Sequence, residues 1–241
     1  MKRKLWNKDT ILMLQGNAVS ALGDILYSVA IGYWVYEKTG SSALMGIMSS
    51  ISMFMTMLVM PFSGSIIDKC SRKLIIVGMD ALRGVIMLAL GVLAFADSLS
   101  VPVVLAAAFL ASACSVFFSP AVNTLMLDII PHDDMVRGQS VFSGVNSFIN
   151  LVGKAISGAL VAFLGVPLIV LLNGVSYLVS AFTELFITVP KTVHQGEKIT
   201  LGGIFADFRV AVREIFRNRY LKLFIPCALI LNLLSAGSMT L

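Results

Sequence analysis

Apolar residues run along the chain in six long stretches, 11–36, 43–67, 74–96, 101–127, 139–163 and 167–189, each closed by a short polar or charged turn. A helix rises about 1.5 Å per residue, so about 20 apolar residues cross the roughly 30 Å hydrocarbon layer of a bilayer. Every stretch is long enough, and the pattern predicts six transmembrane helices. Another apolar stretch begins near Leu221 and carries no charge from Leu223 to Leu241, which reads as the start of a seventh span cut short. Between them, Gln195, Gly196, Glu197 and Lys198 read as linker. Beyond it, Ile204, Phe205, Phe208, Val212, Ile215 and Phe216 recur at helical spacing opposite Asp207, Arg209, Arg213 and Arg217, which predicts an amphipathic helix on the inner leaflet. The expected organisation is a six-span bundle over 1–190, a cytoplasmic linker with that helix over 191–220, and an incomplete seventh span over 221–241.

Composition sharpens this picture. Of the 241 residues 58% are apolar and 13% charged, and the mean hydropathy is +0.92. Ordinary globular domains have about 45–50% and about 25%. A water-soluble fold is excluded; the chain is an all-α polytopic membrane protein. The net charge of +5 does not point to nucleic acid, because 15 of the 18 Lys and Arg fall on one side of the membrane when the N-terminus is inside. That bias predicts a multi-pass protein of the cell membrane with a cytoplasmic N-terminus. The first apolar stretch greatly exceeds a signal-peptide core and is expected to be a retained span. Cys70, Cys114 and Cys227 lack metal-ligand or redox spacing, and His132 and His194 are lone loop residues. With no nucleotide-binding loop either, no cofactor, no metal and no enzymatic chemistry are expected.

Hydrocarbon cannot solvate polar side chains, so their angular distribution marks the helix faces turned toward protein or water. In span one Asn17, Ser20, Asp24 and Tyr27 or Ser28 repeat at three and four, as do Ser112, Ser115, Ser119 and Asn123 in span four. Span five carries Ser143, Asn146, Ser147, Asn150, Lys154 and Ser157, and span six Asn173, Ser176, Tyr177, Ser180 and Glu184. The hydroxyls, with Gly153 and Ser157 or Ala155 and Ala159, suit close helix packing. Ionised groups at mid-depth cost more, about 2.5–3.5 kcal/mol each even on a lenient scale. Asp80 and Arg83 form an i, i+3 pair that can satisfy itself within one helix turn, and are expected to be a structural charge pair. Asp24 and Lys154 have no local partner; they either pair across helices or face a water-filled cavity. They are the candidate substrate and proton pathway, with Asn17, Asn146 and Asn150 on the same faces. Glu184 lies near the inner end of span six, where it could reach water. Span two differs in carrying Met45, Met48, Met53, Met55, Met57 and Met60, flexible side chains that suit lipid, core packing or a surface accepting varied ligands.

Spans two and three are joined by Gly64-Ser65-Ile66-Ile67-Asp68-Lys69-Cys70-Ser71-Arg72-Lys73. A carboxylate at the negative C-terminal end of a helix is unfavourable by about 0.3–1 kcal/mol, so a partner for Asp68 is expected elsewhere. This segment resembles the signature loop of the major facilitator superfamily, with Ser71 where that family usually has glycine. Leu22-Gly23-Asp24, Glu37-Lys38-Thr39-Gly40-Ser41, Asp80-Ala81-Leu82-Arg83 and Phe118-Ser119-Pro120-Ala121 resemble its macrolide-efflux and siderophore-exporter branch, similar to the enterobactin exporter. Gly153, Ser157 and Gly158 partly match the fifth-span motif of its exporters, with Lys154 in the place of the usual proline.

The resemblance implies the N-terminal six-helix bundle of the major facilitator fold, partnered by a missing C-terminal bundle or a second chain. It also implies a secondary active transporter, proton-driven, exporting small amphipathic compounds such as macrolides or siderophores. Asp24 would then be a proton or cationic-substrate site and Lys154 its counter-charge. Gly64, Asp68, Lys69, Arg72 and Lys73 would form a cytoplasmic gating loop. The alternative is a truncated or non-transporting membrane interaction subunit that works only as a dimer or with another bundle.

Overall fold

The computed structural model describes residues 5–188 continuously, with scattered positions between 203 and 227. The amphipathic helix expected over 204–216 and the seventh span expected from 221 lie largely outside the described residues. The chain divides into two units, Met1–Gly196 and Glu197–Leu241, and the helical bundle lies in the first.

Helix α1 spans Lys8–Thr39. Asn7 caps it by accepting from the Thr10 backbone N–H at 2.9 Å, and Gly40 closes it in the left-handed region at φ 64°, where a Cβ would be strained. Helices α2 (Ser42–Lys69), α3 (Arg72–Phe95) and α4 (Val101–Ile129) follow through short turns. After a 3-10 turn at His132–Asp134, one helical run extends from Met135 to Glu184. Fifty residues of straight helix would reach about 75 Å, more than twice a bilayer. The run is instead broken at Gly165, whose φ of 74° and ψ of 159° are open to glycine alone, and Pro167 restarts the helix where its missing N–H costs nothing. We call its two legs α5 (135–164) and α6 (166–184).

The legs fold back on each other. Gly153 of α5 lies against Leu22 and Ile25 of α1, while Gly23 of α1 lies against Asn173 and Ser176 of α6. Both legs therefore pass the same stretch of α1, in opposite directions. Five helical runs in the described residues are long and apolar enough to cross a membrane, and the last contains this hairpin. With the two legs of the last run counted separately, the described residues hold six helices, one for each apolar stretch of the sequence, the fifth and sixth joined by the Gly165 corner.

Glycines bring α3 and α6 into backbone contact and seat α6 side chains against α1, the small-residue packing that substitutes for a hydrophobic driving force in lipid. A Cβ on Gly23 would collide with the Asn173 side-chain amide, one on Gly174 would stand 2.8 Å from the Leu88 backbone N, and one on Gly91 3.0 Å from the Leu171 N. Backbone cannot step aside as a side chain can. Gly174→Val should force α3 and α6 apart, costing about 1–3 kcal/mol by overpacking, and should lower the melting temperature in detergent. Gly158, with open space around it, is the matched control, and valine there should leave the melting temperature unchanged.

Two apolar clusters fill the bundle. One gathers Met13, Ile76, Leu125, Ile129 and Ile187 near the start of α1; the other gathers Ile31, Val35, Leu90, Val104 and Val170 toward its end. Between them lies a polar layer. Helix α2 stands at the margin, packed mainly on α4, with Met53 and Met57 78% and 81% exposed.

Candidate functional site

The polar layer is built from α1, α3, α4 and α6. Asp80 is 0% and Arg83 3% exposed, and the two form the intrahelical ion pair expected from their spacing. One carboxylate does not saturate the guanidinium. Its carbon lies 4.2 Å from the Phe118 ring centroid and 4.5 Å from that of Tyr177, so the cation is sandwiched between two aromatic faces. Ser115 of α4 accepts from Arg83 Nη1 at 3.4 Å, and Ser20 of α1 donates to Asp80 at 3.5 Å. Tyr177 then donates its hydroxyl hydrogen to Asp24. A continuous polar path thus runs from Asp80 through Arg83 and Tyr177 to Asp24, tying α3 to α1 by way of α6.

Two cavities open on this path. One of about 310 Å³ is lined by Asp24, Tyr27, Ser28, Met45, Met48, Ser52, Ser112 and Tyr177, among others. The second, of about 300 Å³, is lined by Asn17, Ser20, Asp24, Arg83, Ser119, Asn123 and Asn146, among others. Asp24 and Ser115 line both. The stripes of spans one and four therefore face one another across hydratable space. Ser52 and Ser112 share a hydrogen bond of 2.8 Å where α2 meets α4, and Met45 and Met48 make the apolar wall.

Other residues singled out in the sequence lie elsewhere. In α5 Asn146 reaches the second cavity, but Asn150 and Lys154 lie exposed on the surface of the described bundle. Asn150 donates to the Asn146 carbonyl at 3.1 Å along its own helix. Lys154 has no ion-pair partner among the described residues; the structure gives Asp24 the Tyr177 hydroxyl in place of a lysine. The stripe of α6 is mostly buried packing: Ser176 and Asn173 meet Gly23, and Ser180 and Glu184 meet Gly16. Glu184, expected near water, is 1% exposed. Gly153 and Ser157 are buried as helix contacts, whereas Ala155 and Ala159 are exposed.

In the loop, Gly64, Asp68 and Lys69 belong to the last turns of α2, and Arg72 and Lys73 open α3. Asp68 is exposed, and no ion pair engages it among the described residues. Arg72 ties the loop to the bundle by pairing with Asp128 in the last turn of α4. Each of these charges sits at the helix end that disfavours it, a cation at an N-terminus and an anion at a C-terminus, and pairing offsets both. Sequence reading missed Asp128 and the role of Tyr177. An acidic residue closing an otherwise apolar helix, level with a basic turn, was the available signal for the first.

Six apolar helices, a buried charge path and a basic loop between the second and third helices agree with the resemblance of the sequence to the major facilitator superfamily. The sequence matches that superfamily over residues 13–241, and the chain belongs to it. Among its relatives, the macrolide efflux protein A of Streptococcus pyogenes is 23% identical over 186 residues, covering 77% of this chain and 46% of the relative. A Bacillus subtilis protein named as a bacilysin exporter, BacE, is 30% identical over 217 residues, covering 86% and 51%. The chain spans about half the length of the curated relatives it matches.

Proposed function

We propose that the chain is the N-terminal half of a proton-coupled exporter of small amphipathic compounds, macrolide-like or siderophore-like. In this reading it resides in the cell membrane with its N-terminus in the cytoplasm, and a second six-helix bundle completes it. The carrying observation is Asp24, one carboxylate on the wall of both cavities, hydrogen-bonded to a tyrosine that also faces the Arg83 cation. A carboxylate there attracts a cationic or hydrogen-bond-donating solute, and a proton cancels that attraction. Substrate and proton then compete for one site, which is the requirement for exchange transport. The cavity lining suits an amphipathic solute, with serine hydroxyls interspersed among Met45, Met48 and Met87. The names of the relatives supply export as the direction and macrolides as a solute to try.

The test is uptake of labelled erythromycin into everted membrane vesicles carrying the complete protein. Uptake should require an acidic vesicle interior and collapse when a protonophore is added. Uptake indifferent to the protonophore removes proton coupling, and the absence of erythromycin uptake removes macrolides as substrate.

A further inference from the structure

The hydroxyls around the first cavity are engaged within the protein, with one exception. Ser28 donates to the Ile25 carbonyl at 2.8 Å and Ser115 to the Ala111 carbonyl at 3.0 Å, each along its own helix. Ser52 and Ser112 bond to each other, and Tyr177 donates to Asp24. Tyr27 differs. It belongs to the wall of the same cavity, yet its hydroxyl is closed off from solvent and has no hydrogen-bond partner among the described residues. A hydroxyl buried in this way gives up its bonds to water and gains none in return. Phenylalanine would occupy the same space without that penalty, so packing does not account for the oxygen.

The position of Tyr27 indicates what the hydroxyl can serve. It follows Asp24 by three residues on α1, so the two are neighbours on one face of the helix, and both line the cavity. Long side chains of a helix lean toward its N-terminus, which carries the Tyr27 ring back over the turn that holds Asp24. Asp24 takes its hydrogen bond from Tyr177, and Tyr27 makes none to it. The cavity therefore sets a carboxylate that attracts a cation beside a phenol with a hydrogen still to give. What closes over that phenol is pliable. Tyr27 and Met48 pack on the apolar cluster that contains Met87, and Met45, Met48 and Met87 line the cavity. Thioether chains are unbranched and re-pack readily, so an entering solute can uncover the hydroxyl.

We infer that Tyr27 is a specificity-determining residue of this cavity, donating its hydroxyl hydrogen to an acceptor oxygen of the solute. The inference rests on the reading of Asp24 as the place where a cationic solute is held. It narrows the solute class to amines that carry an ether, hydroxyl or carbonyl oxygen about one helix turn, roughly 5 Å, from the protonated nitrogen. The nitrogen goes to Asp24, the oxygen to Tyr27, and the apolar body to the methionines. An amine of the same shape without the oxygen fits the cavity but leaves the phenol unpaired, and the site discriminates against it for that reason.

The test is binding to the complete transporter, purified in detergent, by equilibrium dialysis of 3-benzyloxypropylamine and 5-phenylpentylamine. These amines match in length and charge and differ only in an ether oxygen that replaces a methylene three carbons from the nitrogen. The wild-type protein should bind the ether about fivefold more tightly, the effect of one net hydrogen bond. Tyr27→Phe should bind both amines equally and melt no lower than the wild type, since it loses no internal partner. Asp24→Asn should weaken both amines by the same factor and keep the preference. A wild type without the preference overturns the role of Tyr27 and needs no variant to fold. A preference that survives in Tyr27→Phe overturns it as well, and so does a Tyr27→Phe protein that melts well below the wild type, because the hydroxyl then serves the fold. Undiminished binding of both amines to Asp24→Asn, or binding of neither to the wild type, overturns instead the cation site on which the assignment rests.

Discussion

Asp24→Asn should abolish accumulation driven by a pH gradient while leaving the protein folded. The amide has the size of the carboxylate, and its oxygen still accepts from the Tyr177 hydroxyl, so the tie between α1 and α6 survives. What disappears is the group whose charge a proton can cancel. Uptake of labelled erythromycin into everted vesicles should fall to the level seen with the gradient collapsed, whereas exchange of solute for solute across the same membrane should continue. Persistence of gradient-driven uptake in the variant would show that the coupling proton binds elsewhere. The cavities do not depend on Asp24 being charged, since Ser28, Ser52, Ser112 and Ser115 supply the remaining polar wall of the first one.

Arg83→Gln should have the larger effect on stability. It leaves Asp80, which is fully buried, without a cation, and removing one member of a buried pair costs about 3–5 kcal/mol. Little monodisperse protein should be recovered from membranes. The reciprocal change, Asp80→Asn, should be milder, because the guanidinium keeps the faces of Phe118 and Tyr177, and such cation–π contacts contribute about 0.5–2 kcal/mol. The double variant Asp80→Asn with Arg83→Gln removes both charges and should recover most of the yield and melting temperature. It should not recover coupled transport, because the cation beside Tyr177 and Asp24 is gone. A double variant no more stable than Arg83→Gln alone would mean that the guanidinium is needed for packing against the two rings and not for charge balance.

How much of this was legible beforehand depended on the range of the interaction. Helix number and extent follow from the length of apolar runs, and the Asp80–Arg83 pair from a spacing of three, so both could be read from neighbouring positions. The sharp corner at Gly165 was legible only as a gap between spans; its positive φ explains why the gap is so short. Which partner a lone mid-membrane charge finds is decided by helix rotation and neighbour order, and no local pattern encodes these. Asp24 and Lys154 looked complementary because their charges are opposite, yet Tyr177, read as one member of a serine-rich stripe, reaches Asp24 first. The stripe on α6 misled for a related reason. Serine and asparagine beside glycine are what a close helix contact and a wet wall both require, and only the positions of Gly16 and Gly23 tell them apart. The sites carried by Lys154 and Asn150 are not assembled within the described half and remain proposals about the completed protein.

The bundle is unequally tolerant of change. On the side where α3 and α6 touch through Gly84, Gly91 and Gly174, an added Cβ meets backbone, and replacement there is a folding defect. On the opposite side, Met45 and Met48 of α2 complete the first cavity with unbranched, pliable chains. In the proposed exporter, substitutions at these two methionines would alter which solute fits while leaving Asp24 and the α3–α6 glycine contacts in place. On that proposal, the repertoire of compounds handled is separable, at the level of single codons, from the apparatus that drives them.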